Sequence, residues 1–136
     1  MLVASRRVVF DTNVLISGYL WKGLARRAID KVRRGEWIHL VSQETVEELI
    51  RVLAYDKFGL KPEEMEPIVG DLMAISEYVE VKSKIDIVKA DPTDNIFLNL
   101  AMDGEANVIV SGDHHLLDLN EFNDIPIISV RKFIGL

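Results

Sequence analysis

The chain has 136 residues, 49% of them apolar, with a net charge of −6 and no cysteine. This length suits one domain spanning 1–136 with a sizeable hydrophobic core, and the lack of cysteine excludes disulfides, thiolate metal sites and cysteine nucleophiles. No apolar run approaches the roughly 18 residues of a membrane span, residues 1–7 hold no apolar stretch of signal-peptide length before the arginines, and the expected setting is the cytoplasm.

Arg7-Val8-Val9-Phe10 is a short run of β-formers and predicts a buried strand that ends at Asp11. Asn13 to Leu20 follows as a short helix. Leu24, Ala25, Ala28, Ile29 and Val32 keep helical spacing, and Gly35 closes that helix. Trp37 to Val41 is a second strand. Ser42 caps a helix whose apolar face is Val46, Leu49, Ile50 and Leu53. Met65, Ile68, Val69, Leu72 and Met73 mark a helix begun near Pro62, and Tyr78 to Val81 is a third strand. Asp91 and Pro92 open the next helix as N-cap and first-turn proline, with Ile96, Phe97, Leu100 and Ala101 facing inward. Asn107 to Val110 and Ile125 to Ser129 complete five strands, and a last short helix carries Phe133 and Ile134. Strands alternating with helices imply a mainly parallel sheet covered on both faces. In such sheets ligands sit beyond the carboxyl ends of the strands.

Four acidic segments fall at strand ends or helix starts: Phe10-Asp11-Thr12-Asn13, Val46-Glu47-Glu48-Leu49, Asp91-Pro92-Thr93-Asp94-Asn95 and Ser111-Gly112-Asp113. Carboxylates in an apolar setting repel one another and resist desolvation. Their convergence on one pocket makes sense mainly around a cation, and hard-metal carboxylate sites handle phosphates. Each acid also has a plainer reading. Asp11 and Asp113 suit helix caps, Asp91 suits a capping carboxylate with Asp94 favoured by the helix dipole, and Glu48 suits a solvated helix face. At about 100° per residue, Glu48 lies nearer the apolar border than Glu44 or Glu47. His114 and His115 are adjacent, diverge around a helix, and read as solvated rather than as a joint transition-metal site.

With these segments in view, the chain resembles the PIN-domain family of metal-dependent ribonucleases, and within it the bacterial and archaeal branch assigned as toxins of type II toxin–antitoxin pairs. The resemblance runs from Val8 to about Ile134. Carried over by position, the core acids are Asp11, Glu48, Asp94 and Asp113. Asp91 matches an acid common in this branch, and Ser111 stands where the branch often has threonine, keeping the hydroxyl. Thr12 and Asn13 are supporting residues that would orient Asp11 by hydrogen bonds or contact a metal-bound water. The resemblance implies a three-layer α/β/α sandwich around a mainly parallel five-stranded sheet, homodimers, and inhibition of toxin members by an antitoxin that covers the site.

The expected activity is phosphodiester hydrolysis of single-stranded or structured RNA assisted by Mg²⁺ or Mn²⁺, since oxygen ligands favour hard ions over zinc. By resemblance the products carry a 5′-phosphate and a 3′-hydroxyl. The net acidity does not oppose this, because clustered catalytic acids inflate the negative count. Two basic stretches are candidates for gripping phosphates: Arg26 and Arg27 with Lys31, Arg33 and Arg34, and Lys82, Lys84 and Lys89 before Asp91. Trp21 is either a stacking surface or, more ordinarily, an aromatic core plug. Three rivals stand beside the nuclease. A phosphoacceptor receiver domain wants a lysine at the end of a late strand, where Val110-Ser111-Gly112 offers none. A haloacid-dehalogenase-like phosphatase wants a second acid where Asn13 stands, and a non-catalytic RNA-binding module would leave the acids idle.

Overall fold

The computed structural model describes residues 6–89 and 91–136; most of the N-terminal segment scanned for a leader (residues 1–5) lies outside them. The chain runs β1 (Arg7–Phe10), α1 (Thr12–Leu20), α2 (Leu24–Arg33), β2 (Ile38–Val41), α3 (Gln43–Leu53), a 3-10 turn (Asp56–Phe58) and α4 (Pro62–Ile75). It continues through β3 (Ser76–Tyr78), a second 3-10 turn (Pro92–Asp94), α5 (Asn95–Asp103), β4 (Val108–Val110), α6 (His114–Leu117), β5 (Glu121–Phe122), β6 (Ile125–Ile128) and α7 (Val130–Ile134). The strands form one sheet in the order β3-β2-β1-β4-β6-β5, parallel throughout except for the β5–β6 pair.

Alternation along the strands divides the core into two layers. Val8 and Phe10 of β1, Val41 of β2, and Val108 and Val110 of β4 point to one face, against Leu15 of α1, Ile29 of α2, Leu49 and Leu53 of α3, Leu72 of α4 and Phe133 of α7. Val9, Leu40, Ile109 and Ile127 point to the other face, against Leu98, Leu100 and Ala101 of α5 and Leu116 of α6. The result is the three-layer α/β/α arrangement.

Several elements differ from the sequence expectation for physical reasons. The sheet has six strands rather than five. Asn123 and Asp124 both adopt positive φ, 48° and 66°. They form a two-residue turn that pairs Phe122 with Ile125 and so adds β5 as a hairpin edge. The third strand is Ser76–Tyr78, not Tyr78 to Val81, because it pairs with β2 only as far as Val41. Asp91 and Pro92 open a 3-10 turn, and α5 starts only at Asn95. Ile50, assigned to the buried face of α3, is 42% exposed.

Two glycines test this packing. A Cβ at Gly18 of α1 would collide with the buried side chain of Ile29 and lie 3.0 Å from the Ala25 carbonyl oxygen of α2, whereas a Cβ at Gly70 of α4 meets nothing within 4 Å. Gly18→Ala should therefore cost about 1–3 kcal/mol by overpacking. Gly70→Ala should add about 0.5–1 kcal/mol by helix propensity. Urea denaturation of the two variants beside the parent checks both signs.

Candidate metal centre

Strand β1 lies between β2 and β4, where the order of the sheet reverses, and its last residue Phe10 is in register with Val110 of β4. Parallel pairing delivers Asp11 and Ser111 side by side at the carboxyl edge, the place where such sheets bind ligands. The Asp11 amide donates to the Val110 carbonyl at 3.0 Å. Its carboxylate caps α1 by accepting from the Val14 amide at 2.9 Å, and its other oxygen accepts from the Ser111 hydroxyl and from the Gly112 amide at 3.2 Å. Asp11 is 2% exposed. Burial raises its pKa above the usual carboxylate value, against the opposing pull of these hydrogen bonds. The Ser111 hydroxyl also accepts from the Asp113 amide at 2.9 Å, so one small side chain fixes two acid-bearing segments.

The second segment is held from behind. Asn95 is buried and clamps the loop before it. Its carbonyl accepts from the Ile87 and Val88 amides at 2.9 Å each, and its amide donates to the carbonyls of Val88 and Pro92. Asp91 forms no side-chain cap, contrary to the capping expectation; only its carbonyl engages the turn, accepting from the Asp94 amide at 3.0 Å. Its carboxylate is thereby left for the cavity. Asp94 is buried, and its Oδ2 has no hydrogen-bond partner among the described residues. Burial first, then Asp113, Asp91 and Asp11, push the Asp94 pKa up to about 8. At Asp113 burial also acts upward, but the Asp94 proton, the His115 amide and the two imidazoles outweigh it, and the group sits below its ordinary value.

Donor atoms of Asp91, Asp94, Asp113 and His115 lie within 4.8 Å of one another. Asp11 and Glu48 line the same cavity of about 240 Å³, with Thr12, Asn13, Arg51 and Lys57. Their oxygens are outside the tightest group. Of the three glutamates on α3, Glu48 faces the cavity, while Glu44 and Glu47 are exposed. Glu48 pairs with Arg51 at 2.8 Å. Neither Thr12 nor Asn13 provides the bonds that orient Asp11; Thr12 keeps a buried hydroxyl without a partner among the described residues.

His115 is expected from sequence to be solvated but joins the acid cluster, and the reason is local. Asp113 caps the four-residue helix α6 by accepting from the His115 amide at 2.9 Å, which folds the imidazole back until its Nδ1 is 3.5 Å from the same carboxylate oxygen. The usable signal was the Asp-x-His spacing at a capped helix start. His114 stays in solvent, its side chain 76% exposed.

The predicted basic stretches lie elsewhere. Arg26 donates to the carbonyls of Gly18 and Tyr19, closing the end of α1, and Arg27 is exposed. Lys82 and Lys84 line a separate groove with Glu44, and Lys89 pairs with Asp86 at 2.9 Å. Among the described residues, Arg51 and Lys57 are the cations that line the acid cavity. Trp21 is not a core plug, being 55% exposed.

Among curated proteins, none matches the chain. The crystal structure of PAE2754 from Pyrobaculum aerophilum is similar in fold, with a TM-score of 0.63 over 99% of this chain and 96% of that one at 13% identity. A family model described as PIN domain matches residues 7–115, a stretch that carries every acid lining the cavity. The chain belongs to the PIN-domain family, whose members are generally metal-dependent nucleases.

Proposed function

We propose that this protein is an endoribonuclease that depends on Mg²⁺ or Mn²⁺ and hydrolyses phosphodiester bonds of RNA, in the manner of the toxin of a toxin–antitoxin pair. The observation that carries the reading is Asp94: a buried carboxylate with one oxygen unpartnered, facing Asp113, Asp91 and His115. A buried polar atom left unsatisfied is costly, and a cluster of acids around it is relieved by a cation. The donors fit such an ion. Carboxylate oxygens suit Mg²⁺ and Mn²⁺, and an imidazole in the set shifts the preference toward Mn²⁺.

Asp94, Asp113 and Asp91 with His115 would hold the ion, and Asp11 and Glu48 would act from the adjoining walls of the cavity. When bound, the ion supplies charge neutralisation at the phosphoryl group and an activated water. The chain's own residues set the stage. Ser111 and the Val14 and Gly112 amides fix Asp11, Arg51 orients Glu48, and Lys57 offers a positive charge to the phosphate. A protein partner, whether an antitoxin or a second copy, is supported by the apolar groove between α3 and α4, formed by Ile50, Ala54, Pro62, Met65 and Val69. Among the described residues no helix is long and apolar enough to cross a membrane.

A mixed RNA pool incubated with Mn²⁺, with Mg²⁺ and with chelator should be cut only in the first two. Asp11→Asn and Asp94→Asn should each lower the rate by at least about a hundredfold. Parent-like cleavage by Asp11→Asn would reject this reading.

The Asp94 pKa of about 8 gives a linkage with a definite sign. The folded state keeps a proton that the unfolded chain releases near its ordinary value, so metal-free stability should be highest at acid pH and fall as pH rises through 8. Asp94→Asn should flatten that fall and stabilise the metal-free protein at alkaline pH by about 1–3 kcal/mol. Thermal melts in chelator across pH measure this directly. Binding of Mn²⁺ near neutral pH should expel about one proton, read by calorimetry in buffers of different ionisation enthalpy.

A further inference from the structure

Beyond the acid cavity, the surface continues into a second cavity of about 400 Å³ lined by Asn13, Ser17, Trp21, Lys57, Phe58 and Gly112 among others. Asn13, Lys57 and Phe58 belong to both cavities, so the two are joined. Asn13, Ser17 and Trp21 are spaced by four residues along α1 and its C-cap and are all exposed, forming one stripe that leads away from Asp11. At the helical rise, that stripe covers about 12 Å, a short step along a nucleic-acid strand.

The far end of the stripe is an aromatic platform. Trp21 closes α1, its amide donating to the Ser17 carbonyl at 3.1 Å, so the indole is fixed at its root while 55% of the residue stays exposed. Phe58, held in the 3-10 turn after α3, stands with its ring 6.1 Å from the indole at an angle of 56°. Lys57 places its ammonium 5.2 Å from the Phe58 ring centre, at the junction of the two cavities. An exposed indole and a phenyl ring beside a lysine, with the Asn13 amide and Ser17 hydroxyl along the floor, match what an unpaired base needs: a π-face to stack on, a cation for its phosphate and polar groups for its edge.

We propose that this groove is a nucleobase subsite, in which an unpaired base flanking the scissile phosphate stacks on the exposed Trp21 indole, with the tilted Phe58 ring packed at its edge, while Lys57 contacts the intervening phosphate. The inference rests on the nuclease reading for the direction of the strand, and it narrows the substrate to RNA that is single-stranded at this position. A base paired in a duplex has its faces covered and cannot use the platform.

The test reads binding, without cleavage. The full chain is titrated in chelator with a short single-stranded RNA, with the same strand made abasic, and with the same sequence as a duplex, following tryptophan emission and the anisotropy of a labelled strand. Trp37 is 5% exposed, so a change on binding reports Trp21. The base-bearing single strand should quench the emission. Trp21→Ala should weaken its binding by about fivefold to a hundredfold, Trp21→Phe should restore most of the affinity, and the abasic strand should not distinguish parent from Trp21→Ala. Equal affinity of parent and Trp21→Ala for the base-bearing strand, or equal binding of duplex and single strand with no quenching, would overturn the subsite. A protein that shows the Trp21-dependent binding yet cuts no RNA with Mn²⁺ would keep the subsite and reject the nuclease. Cleavage at the parent rate and affinity in Trp21→Ala would do the reverse.

Discussion

Mutual repulsion among Asp11, Asp91, Asp94 and Asp113 is the constraint around which the rest of this molecule is arranged. Isolated buried carboxylates are expelled or neutralised. Here Asp11, Asp94 and Asp113 stay because each arrives on a backbone segment that is fixed for other reasons. The β1–β4 register sets Asp11 beside Ser111, the Ser111 hydroxyl pins Asp113, and the four hydrogen bonds of the Asn95 side chain hold the turn that carries Asp94. The two apolar layers stabilise the sheet that makes this crowding tolerable.

Helix starts share in the same task. Asp11 caps α1 and Asp113 caps α6, so the amides that satisfy those helices also favour the ionised acids. Capping and ligand binding are therefore not rival explanations at these positions. A carboxylate used as a cap is held at a known angle with part of its acceptor capacity spare, which is what a preorganised ligand requires.

Much of this was legible in the chain. The run Arg7–Phe10 and the triplet Val108–Val110 read as buried strands because β-branched residues fill them and polar groups stop them. Two parallel strands ending in acids were enough to predict where the site would lie. The parts that were not legible depend on three-dimensional detail. The β5 hairpin rests on positive φ at Asn123 and Asp124, which lacks the glycine that usually signals such a turn. His115 is turned inward by the cap of a helix only four residues long. Arg26 and Lys89 are drawn to a carbonyl pair and to Asp86, and no periodicity separates them from Lys57, whose position follows from the 3-10 turn at Asp56–Phe58. Trp21 looks apolar in sequence and is exposed because α1 ends there, before the chain can turn it back to the sheet.

Asp11 and Asp94 are both buried acids with raised pKa values, yet their surroundings give them opposite characters. Asp11 receives donors on both oxygens, so its position is set whether or not a cation is near. Asp94 keeps an oxygen without a donor and faces a second carboxylate, so its charge state depends on what enters the cavity. One acid is a fixed wall and the other a responsive ligand. The second is the one whose charge a cation in the cavity changes most directly, coupling its binding to stability and to proton release. That division follows from chain position: Asp11 sits at a helix cap beside a strand end, where amides converge, and Asp94 sits at the close of a 3-10 turn, where its side chain meets none.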